Sequence, residues 1–218
     1  SQIEVGVKEF WTKLGDRFQK PEFKQAGVTC GESEVRHQKA YSHLLERLGL
    51  DEDFNLLLTK PAIQGRVGYL NKCLEGAQQK NNQDYMLTLA LFSIFIENIS
   101  LFSQFAIIKS FYKHRAILKG VDTIINATMK EELIHALLGI YIINQVKREF
   151  PQWFGPDFYD KIYEASHKAY QAECGIIDWI FEEGELSFLS KDALKEFIKD
   201  RFNKSITPME CSYLENPL

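Results

Sequence analysis

The sequence predicts an all-α protein, and three observations carry that expectation. Only 6 prolines and 13 glycines occur in 218 residues, and they fall mostly between long stretches where apolar residues recur every three or four positions. No run of alternating apolar and polar residues bounded by hairpin turns is present, so strands are not expected. At 45% hydrophobic residues the chain is long enough to bury one sizeable core, which points to a single domain.

The elements are expected in this order. A first helix runs from about Gln2 to Phe18, closed off by Pro21, and a second from about Glu32 to Leu48, ending near Gly49. Shorter helices are expected near Asp51 to Leu58 and Ile63 to Gln79. The longest apolar segment, Met86 to Ile108, has the length of a membrane span. Glu97, Asn98, Ser100, Ser103 and Gln104 interrupt its second half, so it reads instead as the central helix of a bundle. The next helix, about Val121 to Phe150, stops at Pro151, and Gly155-Pro156 completes the break. Helices near Asp157 to Glu182 and Lys191 to Phe202 finish the ordered part. Residues 1–207 thus form the expected domain, and 208–218, which lose all periodicity, an irregular or flexible tail. Because a helical pattern is under way within a few residues of Ser1, an N-terminal extension is expected in the natural protein.

Charge and cysteines narrow the classes. A formal net charge of -4 gives no basic bias and no support for a nucleic-acid partner. No targeting or membrane segment is expected. Cys30, Cys73, Cys174 and Cys211 lie far apart without a C-x-x-C pair, which suits reduced thiols in a cytoplasmic protein.

The chemistry lies in glutamates and histidines. Three of the five histidines follow a glutamate by three residues: Glu34/His37, Glu132/His135 and Glu164/His167. Positions i and i+3 share a helix face, so each pair can present two ligands to one ion. The first lies on the face Cys30, Glu34, His37, Tyr41, Leu44, Leu48, and the second on Ile125, Thr128, Glu132, His135, Gly139, Ile142. Both run into apolar positions and so point inward. The third lies in the polar stripe Asp160, Glu164, His167, Gln171 and reads as a solvated face. Glu97 stands among Phe95, Ile96 and Ile99, and a buried carboxylate must be protonated, paired or metal-bound. A fourth carboxylate is expected from the first helix. Glu4 shares an apolar face with Val7, Trp11 and Leu14, while Glu9 lies nearer Lys13 and Asp16, which favours Glu4.

Glu4, Glu34, His37, Glu97, Glu132 and His135 then supply Glu, Glu-x-x-His, Glu and Glu-x-x-His from four helices, a set that resembles the ferritin-like di-iron and di-manganese proteins. Four carboxylates and two neutral imidazoles balance two divalent ions, and oxygen and nitrogen donors without thiolate suit iron or manganese. Tyr41, one turn beyond His37, is either a core tyrosine or a redox-active one. Lys8, one turn beyond Glu4, either snorkels to water or sets a cation at the mouth of the site to attract an anionic oxidant. Leu101 and Phe105 read as an apolar wall, and Glu131 as a polar or supporting acid.

The motifs Glu34-Val35-Arg36-His37 followed by Ala40-Tyr41, then Phe95-Ile96-Glu97-Asn98, then Lys130-Glu131-Glu132-Leu133-Ile134-His135, resemble the small, radical-generating subunit of class I ribonucleotide reductase over nearly the whole chain. The resemblance implies a ferritin-like bundle, a homodimer, and a dinuclear cofactor whose oxidising equivalent is passed to a cysteine of a large catalytic subunit, where ribonucleotides are reduced to deoxyribonucleotides. It puts Tyr41 where many members keep a tyrosyl radical and Glu131 where the family often has an aspartate implicated in radical transfer. Many members carry aspartate as the first carboxylate, and Lys8 is not a feature of the common iron-dependent members. Glu4 and Lys8 together look like the class Id group, in which superoxide oxidises two manganese ions and the tyrosine need not hold a radical. Two iron ions or a mixed manganese/iron pair are the alternative cofactors. An oxygen-activating oxidase on the same scaffold and a metal-storage protein are the alternative functions. The family's C-terminal docking tail is not recognisable in the sequence.

Overall fold

The computed structural model describes residues 2–18, 20–78 and 81–209, without the side chains of residues 2–5, 51, 55 and 209. Among the described residues there is no strand, only an isolated bridge between Leu186 and Leu189. The chain divides into two compact units, 1–74 and 75–218.

The first unit holds α1 (Gln2–Thr12), α2 (Leu14–Arg17), α3 (Pro21–Leu48), α4 (Asp51–Leu57) and most of α5 (Pro61–Ala77). The single first helix expected from the sequence is two helices, interrupted at Lys13. The second begins well before Glu32. Pro21 opens α3 rather than closing the helix before it, since a proline at the first helical position forfeits an N–H that has no partner there and arrives with helical φ already set. Gly49 at φ 67° ends α3, with its N–H donating to the Glu46 carbonyl and the Leu50 N–H to that of Leu45.

The helical stripe Val7, Phe10, Trp11 and Leu14 is buried. Gly27 and Gly31, one turn apart on α3, let the preceding segment approach to backbone contact. A Cβ at Gly27 would lie 2.9 Å from Leu14 Cβ and collide with the Trp11 carbonyl; one at Gly31 would collide with the Thr12 methyl and sit 3.2 Å from the Lys8 carbonyl. Glu34 lies seven residues after Gly27 and three after Gly31, so it shares the α3 face that meets α1.

The second unit holds α6 (Asn82–Leu91), a π turn (Phe92–Ile96), α7 (Phe102–Arg115), α8 (Lys119–Glu149), α9 (Pro156–Ile180) and α10 (Lys191–Ile206). Its core collects Leu89, Phe92, Ile94, Phe95, Ile99, Phe102, Ile125, Ile142, Ile177, Ile198 and Phe202, with Phe95 and Phe202 at 5.4 Å between ring centres. The continuous helix expected from Met86 to Ile108 is broken in the middle. Glu97 N–H donates to the Phe92 carbonyl at 3.0 Å and Ser100 N–H to that of Phe95 at 2.8 Å, each reaching five residues back rather than four. Leu101 then takes a left-handed conformation at φ 73°, and α7 restarts at Phe102. Neither proline nor glycine lies in this stretch, so the usual sequence mark of a helix break is missing. No described helix is long and apolar enough to cross a membrane.

Candidate metal centre

In the second unit, α8 turns one continuous stripe inward. Ile125, Thr128, Glu132, His135, Gly139 and Ile142 are all buried, with a periodicity that needs nothing but the α-helix to align them. Glu97 is 1% exposed and comes from the break after the π turn. His135 Nδ1 lies 3.2 Å from Glu97 Oε2 and 3.4 Å from Glu132 Oε2, so one imidazole nitrogen faces two carboxylates from separate elements. Glu97, Glu132 and His135 each offer a ligand atom, all within 4.8 Å of one another. Leaving two carboxylates this close and this dry is costly unless cations share them. The donor chemistry, two carboxylates and one imidazole without sulfur, fits a divalent ion that prefers oxygen and nitrogen.

In the first unit, Glu34 and His37 are both buried on α3, with Glu34 Oε2 3.5 Å from His37 Nδ1. The face that carries them fades outward: Cys30 is buried, Tyr41 and Leu44 are half-buried, and Leu48 is exposed. Tyr41 is therefore less enclosed than a core tyrosine. Of the two acids in α1, Glu9 is exposed and pairs with Lys13, whose hydrogen bond and charge hold its carboxyl below the ordinary range, with a smaller contribution from Lys8. The Glu4 side chain lies outside the described residues. Lys8 is half-buried, and its carbonyl accepts a hydrogen bond from Thr12 Oγ1 at 3.0 Å.

The remaining candidates separate cleanly. Glu164 is exposed and His167 half-buried with its ring edge-on to Tyr163, so the third Glu-x-x-His pair stays outside the set. Glu131 is half-buried beside the inward Glu132. Phe105 is buried, while Leu101, expected to share its wall one helical turn from Glu97, sits half-buried at the left-handed corner.

Two residues beside the site take on roles there, and of these Arg201 is not signalled by the sequence pattern. Arg201 of α10 donates from Nε and Nη2 to the Asn98 carbonyl, at 2.9 and 2.6 Å, and from Nη2 to Asn98 Oδ1 at 2.7 Å. Gly139, four residues beyond His135, meets Ser93 of the π turn. A glycine inside a long helical pattern is the one sequence sign that two elements approach closely there.

Residues 1–214 match the family described as ribonucleotide reductase, small chain. The chain is 26% identical to the ribonucleoside-diphosphate reductase small subunit inferred for Invertebrate iridescent virus 3, over 100% of this chain and 63% of the viral protein. It is 24% identical to the ribonucleoside-diphosphate reductase subunit beta of Chlamydia pneumoniae, over 70% of this chain and 47% of that protein. It thus spans between about half and two thirds of the length of these relatives. A crystal structure from Bacillus halodurans, described as a provisionally assigned class I ribonucleotide reductase, superposes with a TM-score of 0.87 over 99% of this chain and 79% of that chain at 14% identity, a likeness of fold alone.

Proposed function

This chain belongs to the ribonucleotide reductase small-chain family, and we propose that it is the core of a small subunit that generates and stores the oxidising equivalent for ribonucleotide reduction by a large catalytic subunit. The observation that carries this reading is the buried trio Glu97, Glu132 and His135, with one imidazole nitrogen within 3.4 Å of both carboxylates.

Glu34 and His37 complete the set as the second Glu-x-x-His pair, and Glu4 is the fourth carboxylate. Two points support this. Glu34 and His37 are buried on one face of α3, and the competing acid of α1, Glu9, is turned to solvent and neutralised by Lys13. Two divalent, redox-active ions bound here would supply one-electron chemistry that the carboxylates and imidazoles of the site lack. The chain's own residues do the rest. Glu97 and Glu132 oppose the positive charge, His135 keeps its nitrogen aimed at the shared site, and the buried Phe95, Ile99, Phe102 and Phe105 keep water from the second unit's core. A dry site of this kind strengthens every charge interaction within it.

For the metal, manganese is the proposed ion, with iron or a mixed pair as alternatives. Glu4 and Lys8 support this choice through their resemblance to the class Id group, where superoxide is the oxidant. A homodimer is the proposed assembly. Its support is an exposed apolar strip on α8, where Ile134, Leu137 and Tyr141 recur at helical spacing and are 61%, 62% and 56% exposed.

The test is nucleotide reduction by the full-length protein, loaded with metal, oxidised, and mixed with a cognate large subunit. Deoxyribonucleotide should form only in the mixture. A loaded and oxidised protein that gives no product with the large subunit would overturn the proposal.

A further inference from the structure

The segment that presents Glu97 is held from one side by a residue that the metal site itself does not require. After the π turn, the backbone N–H of Phe102, which a continuous helix would aim at the Asn98 carbonyl, donates instead to Ile99 at 3.1 Å. The Asn98 carbonyl is thereby deprived of its helical donor at the position next to Glu97. Arg201, 103 residues further along the chain, supplies two donors to that one oxygen, from Nε at 2.9 Å and Nη2 at 2.6 Å. Its Nη2 also reaches the Asn98 side-chain oxygen at 2.7 Å. The guanidinium lies face-on to Phe102, with its central carbon 3.5 Å from the ring centre, so it grips the residues on both sides of the left-handed corner at Leu101. Burial pushes the Arg201 pKa down to about 10, and it remains a cation at neutral pH. A lysine could offer neither the fork nor the flat face.

We propose that Arg201 is a positioning residue for the metal centre: it fixes the broken helix after Glu97 and so keeps the Glu97 carboxylate against His135. Nothing else described at the break takes up the Asn98 carbonyl. If the break closed into a regular helix, the Glu97 N–H would donate four residues back rather than to Phe92, and its side chain would swing about the helix axis by tens of degrees. Residues that orient a metal ligand without touching the ion are worth roughly 10–100-fold in metal affinity. This inference rests on Glu97 being a ligand, as proposed above.

The experiment is a Mn(II) titration of the full-length apoprotein, following free manganese by its electron paramagnetic resonance signal, in four variants. Arg201→Met keeps the bulk of the stem and removes every donor; it should weaken Mn(II) binding by about 10–100-fold while the circular dichroism stays helical. Arg201→Lys restores a charge and one donor and should recover part of that loss. Lys195→Met removes the contact of α10 with Asp178 of α9, at 2.7 Å, without touching the break, and should bind Mn(II) as the parent does. Glu97→Gln tests the site itself and should lose affinity. Should Arg201→Met fail to fold, Arg201→Lys alone carries the test through its intermediate affinity. Parent-like affinity in Arg201→Met, or an equal loss in Lys195→Met, overturns the positioning role. Parent-like affinity in Glu97→Gln instead overturns the site reading.

Discussion

Gly139 on α8 and Ser93 in the π turn occupy the same point of the core. A Cβ built on Gly139 would lie 2.8 Å from Ser93 Cβ and would overlap its hydroxyl oxygen, which donates to the Leu89 carbonyl at 2.7 Å. Ser93 is completely buried, so it has no solvent to retreat into. Since Gly139 lies one turn beyond His135, this contact sets how closely the ligand face of α8 lies against the segment leading to Glu97.

Gly139→Ala should therefore destabilise the protein although alanine is the better helix former by about 1 kcal/mol. Overpacking of a tight contact costs about 1–3 kcal/mol, and at a contact as close as this one the cost exceeds that gain. Adding Ser93→Gly should recover much of the loss, because both clashing atoms leave. Urea denaturation of the two single variants and the double variant measures the coupling; additive effects would deny the contact its role.

Metal removal should lower thermal stability. At free metal about 100-fold above the dissociation constant, loading adds about 2.7 kcal/mol, which for a domain of this size is about 5–10 °C in Tm. Scanning calorimetry with and without a chelator reads this shift. In Glu132→Ala the chelator should make little difference, because the shared partner of His135 is gone.

Manganese and iron are told apart by the oxidised cofactor. Mn(II) followed by superoxide should give a coupled multiline electron paramagnetic resonance signal that persists in Tyr41→Phe. Tyr41 is half-buried, which suits a side chain that does not itself hold the oxidant. Disappearance of the signal in the variant would favour a tyrosyl radical.

Lys8→Ala should slow activation by superoxide by several-fold at low salt and leave Mn(II) binding close to normal, with the difference shrinking as salt screens the charge. Stopped-flow activation at two ionic strengths reads both. Equal rates for parent and variant would remove Lys8 from the path of the oxidant.

Alkaline stability should depend on Cys73. Burial pushes its thiol up to about 11 from an ordinary 9.0, against a smaller opposing effect of the Tyr69 hydrogen bond. The folded state thus holds its proton more tightly than the unfolded one. Its contribution is complete below pH 9 and is lost as pH rises from 9 through 11, amounting to about 3 kcal/mol. Denaturant midpoints measured from pH 8 to 11.5 should fall less steeply in Cys73→Ala than in the parent.

How much of the fold was legible in the sequence depends on the range of each signal. The inward stripe of α8 could be read residue by residue, because a 3.6-residue period needs no information from elsewhere in the chain. The opposite reading of Pro21 arose because one residue type serves two roles, and only the chain beyond it, helical from Glu22 onward, decides between them. The break at Glu97 was not legible. It carries no proline or glycine, and the donor that satisfies its exposed carbonyl is Arg201, far away in sequence. Gly27 and Gly31 offered a visible clue to the α1–α3 contact, two small residues one turn apart, that periodicity alone passes over.

The π turn has one more consequence, for changes in chain length. A turn that closes five residues back holds one residue beyond what an α-helix needs for the same path. Deleting one residue between Phe92 and Ile96 would remove that surplus and leave α6 in phase with the chain beyond the turn. Deleting one between Glu132 and His135 would rotate the rest of α8 by about 100° and carry His135 off the ligand face. The same lesion is thus least damaging to helical phase a few residues before one proposed ligand and most damaging between two others.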